Sequence, residues 1–309
     1  MIKTLEGKVA IVTGAGTGLG RAHALALAKY GARVVVNDFK GCAPGTPGHA
    51  VVDDIVRNGG MAIGDGGDVT DFSQMEAMVA SAMREWGRVD ILVNNAGILR
   101  DKSFSKMTLE DFRLVIDTHL MGAVNCTKAV WETMRAQQYG RIVMTTSSSG
   151  LYGNFGQANY SAAKLALVGL MQTLALEGMK HNVRVNCLAP TAATAMTQGV
   201  LASEALAMLD PTAVSPGLVA LVGDNAPTRT ILLAGAGSFE ASNITMTQGI
   251  FIGAVEDPVA QICARLDEIT DRRGETVPAS GWEQYKLELL KASADSGQQE
   301  SIRNMHGQA

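Results

Sequence analysis

The sequence predicts an α/β fold in which a doubly wound, mainly parallel sheet forms a single domain, followed by a C-terminal extension. Short apolar runs alternate along the chain with segments of helical periodicity. Apolar runs without polar alternation are typical of parallel strands that helices cover on both faces. The composition agrees with this, because 47% of the 309 residues are hydrophobic and 18% are charged, which indicates a globular chain with a large core.

The elements are assigned from these patterns in chain order. Helix starts are assigned from capping signals such as Thr108, which is followed three positions later by Asp111 and can satisfy free N–H groups there. The predicted strands are rich in Val, Ile and Leu and lie at residues 9–12, 33–36, 89–93, 142–144, 183–188 and 231–233. The predicted helices carry apolar residues at helical spacing and span residues 18–30, 75–86, 108–135 and 159–178.

The domain prediction places the α/β domain at residues 1–255 and a helical extension at residues 256–309. Residues 195–218 are expected to form a substrate lid, because they carry Met and Leu side chains that suit an apolar ligand. The extension is more polar, and its first helix is predicted to begin at Asp257-Pro258, a cap followed by proline. From about Ser293 onward the apolar content is low, and part of this segment is expected to be disordered.

Charge and cysteine usage exclude several classes of function. The formal net charge is −4 and there is no basic stripe, so no nucleic-acid partner is expected. The four cysteines are widely spaced and form no CxxC, which argues against a disulfide framework and against a metal site. No apolar run reaches about 18 residues and the N-terminus lacks a signal-peptide core, so we expect no membrane span and a cytoplasmic location.

A glycine-rich turn follows the first predicted strand and opens the first predicted helix. Bare backbone N–H groups at a helix N-terminus bind pyrophosphate, and side chains there would block its approach. The alternative is a tight turn with a structural role only. The turn has the pattern T-G-x-x-x-G-x-G, and the residues expected to contact a dinucleotide are Gly14, Gly16, Thr17, Gly18, Leu19 and Gly20.

Asp38 ends the second predicted strand, about 20 residues after the turn, where an acid accepts from ribose hydroxyls and repels a 2′-phosphate. Lys40 is the one nearby cation, so NAD is favoured over NADP. Asp68 and Val69 are candidates for contact with the adenine. For all three candidates a simple role in a turn is the competing interpretation.

Two further motifs complete a pattern. Asn94-Asn95-Ala96-Gly97 closes a strand, and Tyr160 precedes Lys164 by one helical turn on the same face. Together with the glycine turn these motifs resemble the short-chain dehydrogenase/reductase family over residues 7–197. The resemblance implies a Rossmann fold, a catalytic serine at Ser147, and further cofactor contacts from Asn95, Ala96, Gly97, Tyr160, Lys164, Pro190, Ala192 and Thr194.

The chemistry that the resemblance implies is hydride transfer between a secondary alcohol and a ketone. Tyr160 would be the general acid in reduction and the general base in oxidation, although a free phenol has a pKa near ~10. The ammonium of Lys164 would lower this pKa and hold the cofactor ribose. Ser147 would hydrogen-bond the substrate oxygen.

His119 departs from the family pattern, which has an asparagine in an N-L-x-G stretch. Here the stretch is Thr118-His119-Leu120-Met121-Gly122. A histidine can hold a water or a carbonyl through its ring nitrogens, so His119 is a candidate proton-relay residue. A core histidine is the equal alternative.

A longer match, including residues 96–104 and 150–160, resembles the (3R)-hydroxyacyl-CoA dehydrogenase units of type 2 peroxisomal multifunctional enzymes. It implies NAD-dependent oxidation of a (3R)-hydroxyacyl-CoA or a 17β-hydroxysteroid. Ser147, Asn154, Gln157 and Tyr160 are expected to contact this small-molecule substrate. The small residues on the helix from Asn159 predict a homodimer or homotetramer.

Two other functions stay open on the sequence alone. One is an NADPH-dependent 3-oxoacyl thioester reductase, against which Asp38 argues. The other is a dinucleotide-binding regulator without catalysis, against which the presence of Ser147, Tyr160 and Lys164 argues.

Overall fold

A computed structural model of the chain describes residues 4–194 and 202–296. The chain divides into two compact units, Met1–Ser242 and Asn243–Ala309. The division lies before the boundary predicted after residue 255, because the last strand of the sheet ends at Ser242. The sheet itself therefore closes the first unit.

The first unit contains an eight-stranded sheet of order β3-β2-β1-β4-β5-β6-β7-β8, in which every pair except β7–β8 is parallel. The sequence patterns did not identify the edge strands β3 and β8, because both are partly exposed and lack a long apolar run. The strands are β1 (Val9–Thr13), β2 (Arg33–Asn37), β3 (Met61–Asp65), β4 (Ile91–Asn94), β5 (Gly140–Thr145), β6 (Val183–Thr191), β7 (Ile231–Gly235) and β8 (Ser238–Ser242).

Helices in the first unit connect these strands. The helix predicted at residues 108–135 is interrupted by a π turn at Asp117–Met121. The helix at Pro47–Arg57 was not predicted, although Thr46 caps it and Pro47 begins it. The helices are α1 (Gly18–Lys29), α2 (Pro47–Arg57), α3 (Phe72–Trp86), α4 (Leu109–Ile116), α5 (Gly122–Gln137), α6 (Ser148–Tyr152), α7 (Ala158–Gly178), α8 (Ser203–Met208) and α9 (Ser215–Val222).

A hydrophobic core covers each face of the sheet. Alternate residues of a strand point to opposite faces, so Ile11 and Leu92 pack with α3, α5 and α7, whereas Val12 and Val93 pack with α1, α2 and α9. This double cover is the reason that the inner strands are apolar throughout. It confirms the predicted doubly wound class.

Among the described residues, one helix is long and apolar enough to cross a bilayer. It is α7 together with the 3₁₀ turn that follows it, Ala158–His181. Leu167, Val168 and Met171 on this helix lie in the core against the sheet. Its apolar character is thus that of a core helix.

The second unit contains α10 (Pro258–Ala264), α11 (Leu266–Ile269) and α12 (Trp282–Ser296), with an isolated bridge between Met246 and Thr276. The carboxylate of Asp257 accepts from the N–H of Ala260, as the predicted cap requires. Helix α12 continues through Ser296, beyond the point where disorder is expected to begin. Residues 297–309 lie outside the described part of the chain.

A buried histidine joins the first helix to α9. His23 Nδ1 lies 2.9 Å from Ser215 Oγ, and its Nε2 has no hydrogen-bond partner among the described residues. Burial lowers the pKa of His23 from 6.5 to about 4. The folded protein therefore disfavours the imidazolium form that the unfolded chain adopts below about pH 6.5.

This burial predicts a pH-dependent stability. The titration of His23 does not affect the free energy of unfolding above about pH 6.5. Between about pH 6.5 and 4 it lowers this free energy as pH decreases, by about 1.4 kcal/mol per pH unit. In His23→Asn this part of the slope disappears, as measured by urea unfolding at several pH values between about 4.5 and 7. Ser215→Ala, which retains the histidine, keeps the slope, and an unchanged slope in His23→Asn would contradict the assignment.

Candidate active site

The candidate site lies at the carboxyl ends of β1, β4, β5 and β6, where open α/β sheets bind their ligands. The glycine turn after β1 is held against the end of β4. The Thr13 hydroxyl accepts from the N–H groups of Asn95 and Ala96, both at 3.0 Å. The Asn95 amide donates to the carbonyls of Thr13 and Gly14 at 2.9 and 3.2 Å.

Two glycines allow this turn to form. Gly14 has a φ of +60°, and a Cβ there would lie 2.9 Å from the Ala96 Cα. A Cβ at Gly20 would overlap the Gly14 oxygen. Thr17, which caps α1, makes no side-chain capping bond, so the bare N-terminus of α1 has the backbone donors that a pyrophosphate needs.

Asp38 lies beside the turn. One of its carboxylate oxygens accepts from Gly16 N at 2.9 Å, and the other accepts from Lys40 N at 3.0 Å. A Cβ at Gly16 would lie 2.5 Å from the same carboxylate. The turn and the helix N-terminus together fit the pyrophosphate of a dinucleotide, and the carboxylate fits its ribose hydroxyls.

Asp68 and Val69 lie in the loop between β3 and α3. The Asp68 carboxylate accepts from the N–H and hydroxyl of Thr70, and Val69 is buried with its carbonyl bonded to the Asn125 amide. Their predicted contact with adenine stays a prediction, since these bonds equally serve the turn.

A cavity of about 460 Å³ lies next to the glycine turn. Several predicted site residues line it: Leu19, Asn95, Gly97, His119, Ser147, Asn154, Gln157, Tyr160, Lys164, Pro190, Ala192 and Thr194. The other predicted cofactor residues lie outside the cavity lining. They belong to the glycine turn and the start of α1 (Gly14, Gly16, Thr17, Gly18 and Gly20), to the end of β2 (Asp38), to the loop after β3 (Asp68 and Val69) and to the end of β4 (Ala96). Sequence reasoning did not identify Leu99, Asp101, Thr145, Thr146, Ser148, Ser149, Phe155 and Thr191, which complete the lining.

Tyr160 and Ser147 meet in this cavity. Ser147 follows β5 and caps α6, with its hydroxyl accepting from Ser149 N at 3.2 Å. Burial raises the pKa of Tyr160, a hydrogen bond with Ser147 opposes this effect, and the charge of Asp101 adds to it. The expectation of a depressed pKa is therefore wrong for the protein alone, because desolvation exceeds the opposing effects.

Lys164 lies beneath the tyrosine. Its ammonium donates to the carbonyl of Thr145 at 2.6 Å and lies 5.5 Å from the centre of the Tyr160 ring. Burial lowers the pKa of Lys164 to about 7. The Thr146 hydroxyl donates to the Lys164 carbonyl at 2.6 Å, so α7 is tied to the end of β5 through both the side chain and the backbone of this lysine.

His119 lies in the π turn and contacts Tyr160. Its ring packs edge-on against Tyr160 with the ring centres 5.2 Å apart. Nε2 lies 2.7 Å from the oxygen and 3.0 Å from the nitrogen of Ile98, and Nδ1 has no partner among the described residues. Burial and the charge of Lys164 lower the pKa of His119 to about 3, so the ring is neutral near pH 7.

Asn154 and Gln157 border the cavity but use their amides on the protein. Asn154 Nδ2 donates to Gln157 Oε1 at 3.1 Å, and Gln157 Nε2 donates to the Asp101 carboxylate at 2.6 Å. Their predicted contact with substrate stays a prediction, and the structure assigns both amides a role in holding the loop.

The predicted lid is partly described. Residues 202–218 contain α8, a 3₁₀ turn at Pro211–Ala213 and the start of α9. Residues 195–201, including Met196, lie outside the described part of the chain.

The fit between Gly97 and His119 generates a stability prediction. A Cβ at Gly97 would overlap His119 Cε1, so Gly97→Ala should destabilise the fold by about 1–3 kcal/mol. In Gly97→Ala/His119→Ala the clash is absent, and we expect less destabilisation than the sum of the single variants.

The matched control is Gly169→Ala in α7, where a Cβ would have open space and helix propensity favours alanine by up to about 1 kcal/mol. Urea unfolding measures all four variants. Equal effects of alanine at Gly97 and Gly169 would show that the close approach is absent.

Residues 8–205 match the short chain dehydrogenase family. Peroxisomal multifunctional enzyme type 2 of Drosophila melanogaster is 43% identical over 262 residues, which are 82% of this chain and 43% of that protein. Its full-length structure superposes with a TM-score of 0.76 at 36% identity, covering 93% of this chain and 50% of that one. The chain thus spans about half the length of this relative or less.

Two further proteins match over most of their own length. A putative short-chain type dehydrogenase/reductase of Mycobacterium tuberculosis is 43% identical over 276 residues, 87% of this chain and 96% of that protein. The structure of a 7α-hydroxysteroid dehydrogenase complexed with NADH and 7-oxo glycochenodeoxycholic acid superposes with a TM-score of 0.69 at 31% identity, covering 76% of this chain and 95% of that one. These matches confirm what the three motifs indicate: the chain belongs to the short-chain dehydrogenase/reductase family.

Proposed function

We propose that the protein is an NAD-dependent oxidoreductase that interconverts a secondary alcohol and its ketone. The observation that carries this proposal is the meeting of Ser147, Tyr160 and Lys164 in one cavity beside the dinucleotide cradle. Our preferred substrate is a (3R)-hydroxyacyl-CoA, and a 17β-hydroxysteroid is the second choice within the same activity.

Oxidation of the alcohol requires the transfer of a proton from its hydroxyl and of a hydride from its carbon. The bound nicotinamide supplies the hydride acceptor. Ser147 donates a hydrogen bond to the substrate oxygen. The Tyr160 oxygen takes the proton of the alcohol as the phenol passes its own proton on toward the neutral amine of Lys164. Lys164, whose pKa is about 7, can gain or lose a proton near neutral pH and so suits proton exchange with the tyrosine. In reduction the same groups act in reverse.

The lining of the cavity supports this choice of substrate class. The lining of the cavity includes the apolar side chains of Leu19, Leu99 and Phe155, which suit an acyl chain or a steroid. The multifunctional relative contains a matching region in less than half of its length, so its activity as a whole is not transferred to this chain.

Asp38 supports NAD as the cofactor. Its carboxylate faces the turn and is bonded to Gly16, where it would accept from ribose hydroxyls and repel a 2′-phosphate. The related 7α-hydroxysteroid dehydrogenase binds NADH. The same carboxylate argues against the NADPH-dependent reductase.

We further propose a homodimer or homotetramer in the cytoplasm. Leu165 and Leu176 on α7 are 46% and 41% exposed, and an exposed apolar helix face supports self-association. Cys42, Cys126 and Cys187 are free thiols, which supports a reducing compartment. Several relatives are named as peroxisomal proteins, and fluorescence microscopy of a tagged chain would distinguish the two locations.

Removal of one hydroxyl tests the catalytic proposal. Tyr160→Phe should lower NAD-dependent oxidation of (3R)-hydroxybutyryl-CoA at least about 10²-fold, because the proton acceptor is lost. NADH binding, followed by fluorescence, should be retained. Tyr152→Phe is the control, since Tyr152 is exposed and does not line the cavity. Near-normal activity of Tyr160→Phe would contradict the proposal.

Cofactor choice is tested at Asp38. The wild type should prefer NAD over NADP, and Asp38→Ser should reduce the ratio of the two kcat/KM values by roughly ten- to a hundredfold, since a like-charge contact with the 2′-phosphate is removed. Asp68→Ser, at the other candidate carboxylate, should leave the ratio nearly unchanged. A wild-type preference for NADP would refute the proposed role of Asp38.

A further inference from the structure

Phe155 is the most exposed large apolar side chain among the described residues, at 90%. It lines the catalytic cavity together with Leu19, Leu99 and Pro190. A phenyl ring in water forgoes the free energy that its burial would release. Its position therefore needs an explanation that a core or helix role does not provide.

The loop that carries Phe155 is held in place. Gly153 and Gly156 flank it with φ values of 78° and 82°, a conformation that side chains rarely adopt. Lys102 N donates to the Gly156 carbonyl at 2.9 Å. The ring is thus presented by a defined turn.

Side chains on both sides of Phe155 reinforce the same turn. The amide of Asn154 bonds that of Gln157, and Gln157 in turn bonds the carboxylate of Asp101. Asp101 lies on the neighbouring loop and also lines the cavity. Three polar residues are therefore used to hold an apolar ring at the edge of the site.

From this arrangement we infer that Phe155 is a specificity-determining residue that packs against the apolar part of the substrate beyond the reacting carbon. The inference rests on the proposed function and deepens it. Asn154, Gln157 and Asp101 are then positioning residues for the ring. A contact of this kind grows with the length of the acyl chain, so it stabilises long-chain substrates and is of little consequence for a four-carbon substrate.

The experiment compares (3R)-hydroxydecanoyl-CoA with (3R)-hydroxybutyryl-CoA in NAD reduction. Phe155→Ala should lower the ratio of kcat/KM for the long over the short substrate by roughly ten- to a hundredfold, and Phe155→Leu should restore part of it. Phe104→Ala is the control, because Phe104 is 76% exposed on a separate turn and does not line the cavity. It should keep the wild-type ratio.

A binding measurement makes the inference independent of turnover. Decanoyl-CoA and butyryl-CoA are titrated calorimetrically into wild type and Phe155→Ala in the presence of NADH. Loss of the wild-type preference for decanoyl-CoA in the variant supports the inference, even if neither hydroxyacyl-CoA is oxidised. In that case the proposed hydroxyacyl-CoA activity fails, but the inference about Phe155 does not.

An unchanged ratio of kcat/KM, or of Kd, in Phe155→Ala relative to wild type would overturn the inference. If both chain lengths lose equally, the substitution has a general effect on the site. If the oligomeric state in light scattering changes instead, the exposed ring serves self-association.

Discussion

The ammonium of Lys164 is buried and is held by the carbonyl of Thr145, and the arrangement of the site depends on this bond. It joins α7 to the end of β5, and the Thr146 hydroxyl reinforces the joint through the lysine backbone. Tyr160 lies one turn earlier on the same helix, so its position over the cavity follows from the same attachment. Burial lowers the pKa of the lysine to about 7 and raises that of the tyrosine, because both side chains lose water as they enter the site.

The sheet topology brings the two halves of the site together. β1 carries the glycine turn, and its neighbour β4 carries the Asn95–Gly97 loop that bonds the turn. β5 is next in the sheet and carries Ser147 just beyond its end. Because all three strands are parallel, their carboxyl ends meet at one edge, and the glycine turn lies near the cavity that Ser147, Tyr160 and Lys164 line.

Much of this could be predicted from the sequence where a residue's role is local. The inner strands are apolar runs, and the spacing of Tyr160 and Lys164 places them on one helix face. The edge strands β3 and β8 were not predicted, because partial exposure interrupts their apolar pattern. The π turn around His119 and the contacts of His119 with Ile98 could not be predicted, because they depend on packing between segments that are distant in the chain.

The direction of the Tyr160 pKa shift and the exposure of Phe155 could not be predicted for a related reason. A neighbouring ammonium lowers a phenol's pKa, but the extent of burial decides the balance, and burial is a property of the fold. Likewise, Asn154 and Gln157 are polar residues close to Tyr160 in sequence, yet their amides bond each other and Asp101. Exposure of the phenyl ring between them is visible only in three dimensions.

The measurement that tests the central claim most directly is an NMR titration of the lysine side chains in protein labelled with ¹³C at the ε carbon. We expect one lysine that titrates near pH 7, far below the ordinary lysine pKa of about 10.4, and the loss of this signal in Lys164→Met. If every lysine titrates near its ordinary value, the desolvation of the Lys164 side chain at the end of β5 is contradicted, and with it the buried attachment of α7 to the sheet.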